Sequence, residues 1–146
     1  MAIEQIGQWW YGGETRDIEP YLLALTVPPR RVNEVRASLC VCGSSLFHLD
    51  YTEGAAGARR VCVLCRNSYF IGDTKEFWEE EKSARLACTI CNSQEFNLAV
   101  GFCLDETRNG VQWLYVGERC AWCHVLGSYP DWEIGYTPSL HLLEKV

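Results

Sequence analysis

Eight of the nine cysteines fall into four close pairs: Cys40/Cys42, Cys62/Cys65, Cys88/Cys91 and Cys120/Cys123. The intervals between pairs are what a β-hairpin needs to bring two pairs together. Four thiolates around one tetrahedral ion make a closed structural zinc site, and this chain has ligands for two. The second set is regular: Cys88-x2-Cys91, 28 intervening residues, then Cys120-x2-Cys123. Two residues between cysteines let both sulfurs reach one ion from a tight turn. The first set departs at Cys40/Cys42, where Val41 alone intervenes and Leu39 stands where the repeat predicts cysteine. A Cys-x-Cys still chelates, through a changed turn.

The pairs belong to an internal repeat. Cys42-Gly-Ser-Ser-Leu-Phe-His-Leu49 lines up with Cys91-Asn-Ser-Gln-Glu-Phe-Asn-Leu98, and Arg60-Val-Cys-Val-Leu-Cys65 lines up with Glu118-Arg-Cys-Ala-Trp-Cys123. Each unit reads as knuckle, strand, turn, strand, knuckle, strand. Phe47, Leu49 and Tyr51 alternate in the first, as do Phe96, Leu98, Val100 and Phe102 in the second. Glu53-Gly-Ala-Ala-Gly57 predicts the first turn, and Asn109-Gly110 the second.

On these four cysteine pairs, over residues 38–71 and 86–128, the chain resembles the zinc-ribbon family. The resemblance implies a metal-binding role for Cys40, Cys42, Cys62 and Cys65, and for Cys88, Cys91, Cys120 and Cys123. The repeat argues that each unit owns its metal, against a cross-brace pairing Cys40/Cys42 with Cys88/Cys91. Two zinc ions are expected, with iron the less favoured metal. His48 sits in an alternating strand, which suits a surface or packed histidine better than a ligand.

The expected fold is mainly β with short helices: two sequential zinc ribbons packed as one compact unit. Residues 1–37 form an N-terminal packing arm with a short helix after Pro28-Pro29, carrying Val32, Val35 and Leu39. The first ribbon spans 38–72. Asp73 and Glu76 resemble a capping box, which predicts a linking helix over 73–86 anchored by Phe77 and Trp78. The second ribbon and tail span 87–146. Pro130, Gly135 and Pro138 argue against regular structure in the tail, while Leu140, Leu142 and Leu143 close the core.

Composition bounds the function. No apolar run is long enough to span a membrane, and Met1 to Tyr11 lacks a basic n-region. A cytoplasmic protein is expected, where paired cysteines mean metal more often than disulfide. The net charge is −6, and residues 73–146 hold twelve acidic and six basic side chains. That balance disfavours a nucleic-acid backbone. The alternative, nucleic-acid association, would use Arg30, Arg31, Arg36, Arg59, Arg60 and Arg66, with Tyr69 or Phe70 stacking.

No phosphate loop or second convergent cluster accompanies the cysteines, so no enzyme is expected. Cys103 reads as a small buried residue on a strand, and His124 needs no role as ligand or base beside four cysteines. The aromatic, acidic C-terminal half instead suggests a face for a basic protein partner, formed by Trp113, Tyr115, Trp132, Asp105, Glu106, Asp131 and Glu133. An immunity-type protein that covers a basic toxin or enzyme is one concrete version.

Overall fold

The computed structural model describes residues 3–52 and 57–146. The turn expected at 53–57 lies, apart from Gly57, outside the described residues. A hairpin opens the chain, β1 (Ile3–Ile6) and β2 (Trp9–Gly12), followed by helix α1 (Ile18–Leu25). β3 (Glu34–Ala37) leads into the first unit, which contains β4 (Phe47–Thr52), β5 (Ala58–Cys62) and β6 (Ser68–Ile71). β7 (Ser83–Arg85) leads into the second, with β8 (Phe96–Leu104), β9 (Val111–Cys120) and β10 (Leu126–Glu133). Among the described residues no helix is long and apolar enough to cross a membrane.

β3 to β10 form one antiparallel sheet whose main path is β10-β9-β8-β4-β5-β6. The two halves meet through Phe47 opposite Phe96. These are the phenylalanines that the repeat superposes, so a local two-fold axis runs between them. Both rings are buried in the core.

The strand ahead of each unit pairs with the other unit. β3 runs along β8, and β7 runs along β4. The registers correspond: Ala37 faces Ala99 in one, and Arg85 faces Asp50 in the other. Just beyond, Ser38 N donates to Leu98 O at 3.0 Å and Leu86 N to Leu49 O at 2.8 Å. Each unit thus completes its partner's sheet.

The α-helix stands before Pro28-Pro29, whereas the sequence predicts it after them. A 3-10 turn, Thr15–Asp17, leads into it, with the Asp17 carboxylate accepting from the Gly13 and Glu14 N–H groups, and Pro20 lies in the first turn of the helix, where a missing N–H costs little. Residues 34–37 are extended because the exposed edge of β8 offers them ladder hydrogen bonds, and backbone groups seek partners. Helix α1 covers the β8–β9 face through Ile18 and Leu22, which pack with Val32, Ala99, Tyr115 and Leu126. Gly117 permits this approach, since a Cβ there would lie 2.5 Å from Ile18 Cγ2.

The linking helix predicted over 73–86 is two 3-10 turns, Thr74–Glu76 and Glu80–Lys82, followed by β7. Long-range contacts displace the local preference. Asp73 makes no cap hydrogen bond; its carboxylate accepts from Trp132 Nε1 at 3.0 Å and Tyr136 Oη at 2.9 Å. Trp78 packs edge-on to Phe70, but Phe77 is 61% exposed rather than buried as an anchor.

The tail is more regular than its prolines suggest. β10 runs through Pro130, with the register shift between Ser128 and Asp131 absorbing it. Leu142 is buried, and Leu140 and Leu143 pack against the same core.

Candidate metal centres

The first cysteine of each pair is buried: Cys40, Cys62, Cys88 and Cys120. The sheet delivers the second-strand knuckles, because β5 ends at Cys62 and β9 ends at Cys120. Two quartets result, Cys40/Cys42/Cys62/Cys65 and Cys88/Cys91/Cys120/Cys123, and within each the sulfurs all lie within 4.8 Å of one another.

The sulfur spacing suits a bound ion rather than a disulfide. Cys40–Cys65 and Cys42–Cys62 stand at 3.5 and 3.6 Å, and Cys88–Cys123 and Cys91–Cys120 both at 3.5 Å. A disulfide needs about 2.05 Å. A tetrahedral ion with metal–sulfur bonds of about 2.3 Å sets its ligands about 3.8 Å apart. The quartets fit such an ion, and four protein ligands complete its shell.

One backbone device builds all four knuckles. The residue after the second cysteine is left-handed: Gly43 (φ 93°), Arg66 (68°), Asn92 (65°) and His124 (74°). Its N–H donates to the carbonyl of the first cysteine at 2.8, 3.0, 2.9 and 3.0 Å respectively. The shortened Cys40/Cys42 turn keeps this bond, with glycine at the position that tolerates positive φ. His124 therefore has a backbone role: it closes a knuckle, and its carbonyl accepts the Gly12 N–H at 3.1 Å.

Backbone amides also prepare the sulfurs. The Cys65 N–H points at Cys62 Sγ, 3.5 Å away, and helps bring that thiol down to about 6. Burial works against ionisation of Cys120, but the Cys123 and Trp122 N–H groups bring it down to about 7. Within each quartet one further thiol is pushed up to about 12, Cys65 and Cys123. The Asn67 N–H works against the rise at Cys65, which comes from hydrogen bonding with Cys40 and Cys62 and from burial; at Cys123 burial comes first, then hydrogen bonding with Cys88 and Cys120. A bound dication would favour the thiolate form of all four.

Cys103 and the histidine side chains belong to neither quartet. Cys103 is buried, its thiol directed at Pro29 O 3.4 Å away, and burial pushes its pKa up. His48 Nδ1 contacts Gln94 O at 2.7 Å.

The residues expected to face a partner divide between the two sides of the sheet. In the β9–β10 register, Asp131 stands opposite Tyr115 and Glu133 opposite Trp113, which puts all four on the α1 side. Trp113 Nε1 donates to Asp131 at 3.1 Å, and the Arg30 guanidinium lies 4.1 Å from its ring. Asp105, Trp113 and Glu133 line one shallow cleft. Tyr115 is buried and donates to Arg30 O at 2.7 Å. Trp132 belongs to the opposite core. Asp105 organises its own turn by accepting from Thr107 and Asn109, beside exposed Glu106.

Two features absent from the sequence-based expectations stand out. The knuckle tips expose large apolar side chains: Val41 is 93% exposed, Leu64 71% and Trp122 70%. Any residue between paired ligands is a tip candidate, so the spacing already marked them. The repeat also equates Arg60 with Glu118, and both are buried. Burial pushes the Glu118 carboxyl well above the usual carboxylate range.

Searches against protein-family models, curated proteins and solved structures return no match to this chain.

Proposed function

We propose that this chain is a non-enzymatic zinc-binding module that acts through contact with a basic protein. The observation that carries the reading is the pairing of two closed four-thiolate quartets with apolar tips held in water. A complete ligand set leaves no open position for substrate, so the metal's part is structural. Zinc is favoured because it suits tetrahedral thiolates in a reducing compartment. Val41, Leu64, Ile90 and Trp122 are exposed on the knuckle turns, and apolar anchors suit protein contacts. The net charge of −6 favours a basic partner. A basic toxin or enzyme covered by this chain is one form of that partner.

The nucleic-acid alternative is weakened by its own arginines. Arg36 pairs with Glu34 at 2.8 Å, Arg59 with Asp50 at 2.8 Å, and Arg60 Nε donates to Val146 O at 2.9 Å. Groups engaged inside the protein release few counterions from a phosphate backbone.

Affinity capture with the metal-loaded chain, after nuclease treatment, tests the reading. A basic protein at near-equal stoichiometry is expected, with a Val41→Ser/Trp122→Ser variant retaining roughly tenfold less. Recovery that needs intact nucleic acid and low salt would move the assignment to the alternative.

A further inference from the structure

Beside Cys88 the second unit carries a cleft of about 200 Å³, lined by Trp9, Phe96, Tyr129 and the Glu118 carboxyl. Glu118 is only 4% exposed. Among the described residues its hydrogen-bond partner is the Tyr129 N–H, 3.2 Å from Oε2. Gly127 stands opposite Glu118 in the β9–β10 register. A Cβ at Gly127 would lie 3.5 Å from Oε1, so the missing side chain leaves that oxygen open to the cleft.

The first unit shows how the matching place is filled. Arg60 stands opposite Tyr69 there, as Glu118 stands opposite Gly127. The Arg60 guanidinium lies 4.9 Å from the Phe47 ring and 4.7 Å from the Tyr69 ring. Phe47 and Phe96 are the residues paired across the axis. One unit therefore holds its own arginine between two rings. The other keeps the phenylalanine, replaces the arginine with a carboxyl, and has glycine where the second ring would stand.

We infer that the second-unit cleft receives a single arginine side chain from the partner protein, an inference that rests on the protein-contact reading above. The chemistry is specific on three counts. A carboxylate out of water is stable only when paired, and the planar guanidinium fork matches it with two parallel hydrogen bonds. Trp9, Phe96 and Tyr129 line the cleft, and aromatic rings attract a cation. The cleft is too small for a folded segment, and a phosphate could not supply the positive partner that a buried carboxylate needs.

The probe is N-acetyl-arginine methylamide, titrated into the 15N-labelled, metal-loaded chain, with the neutral citrulline analogue as control. Saturable shifts are expected at the Gly127 and Tyr129 amides and the Trp9 indole N–H. The citrulline analogue should bind at least roughly tenfold more weakly. Glu118→Gln, which preserves shape, should weaken the arginine probe by a similar factor. Gly127→Tyr should block it while leaving Glu118 in place, because it rebuilds the ring found over Arg60. Equal binding of citrulline, unchanged binding in both variants, or no shift at these amides at saturating probe would overturn the inference. A captured basic protein that ignores Glu118→Gln would refute the cleft and leave the contact reading standing. Arginine binding with no captured protein would refute the contact reading instead.

Discussion

Across β7, β4 and β5 the first unit places Arg85, Asp50 and Arg59 in one row. Across β3, β8 and β9 the second places Ala37, Ala99 and Gly117 at the same stations. The first row is a charge clasp, with Asp50 accepting from both arginines at 2.8 Å. The second is a row of small residues that lets α1 come down onto the sheet. One frame therefore holds its exchanged strand in two ways. The knuckles and the Phe47–Phe96 axis set the frame, while the rows between them decide which unit carries a charge clasp and which takes a helix.

The strongest way to break the comparison is to remove one metal. Cys62→Ser and Cys120→Ser should each lose one ion, and structural zinc sites contribute on the order of 10 kcal/mol to folding. Because each unit borrows the other's leading strand, both variants should melt in one transition at a much lower temperature. A variant that kept its other unit at the parental melting temperature would show the halves to be independent.

Asp50→Asn comes next, with an expected loss of about 3 kcal/mol by denaturant unfolding, since two arginines lose their shared counter-charge. Burial opposes ionisation of Asp50, but Arg85 and Arg59 hold its carboxyl below the usual range. The contribution is therefore present above the unfolded value of about 3.9. It is lost as pH falls through the lower folded value, so the gap between parent and variant should close only below about pH 3.9.

A smaller effect sharpens the other half of the comparison. Gly117→Ala puts a methyl 2.5 Å from Ile18 Cγ2 and 3.1 Å from Ala99 O. A loss of about 1–3 kcal/mol is expected, with hydrogen exchange rising most in α1.

The two cysteine quartets were legible because spacing alone brings paired cysteines together, and the alternation around Phe47 and Phe96 marked the central strands. The strand exchange was not. β3 and β7 have four and three residues, and their partners lie far along the chain. The 73–86 segment misled for a related reason: Asp73 is taken by Trp132 and Tyr136 from the distant tail. Trp132 and Trp113 look alike as aromatic residues among acids, yet strand register sends them to opposite faces. The Arg60–Glu118 correspondence was visible in the repeat, but burial alone gives it meaning.

Native mass spectrometry of the chain purified under reducing conditions, with thiol alkylation before and after chelation, is the most direct test. The account predicts two dications per chain, with the eight paired cysteines protected until the metal is removed. One ion or none, free alkylation of either quartet, or disulfides within the knuckles would contradict it.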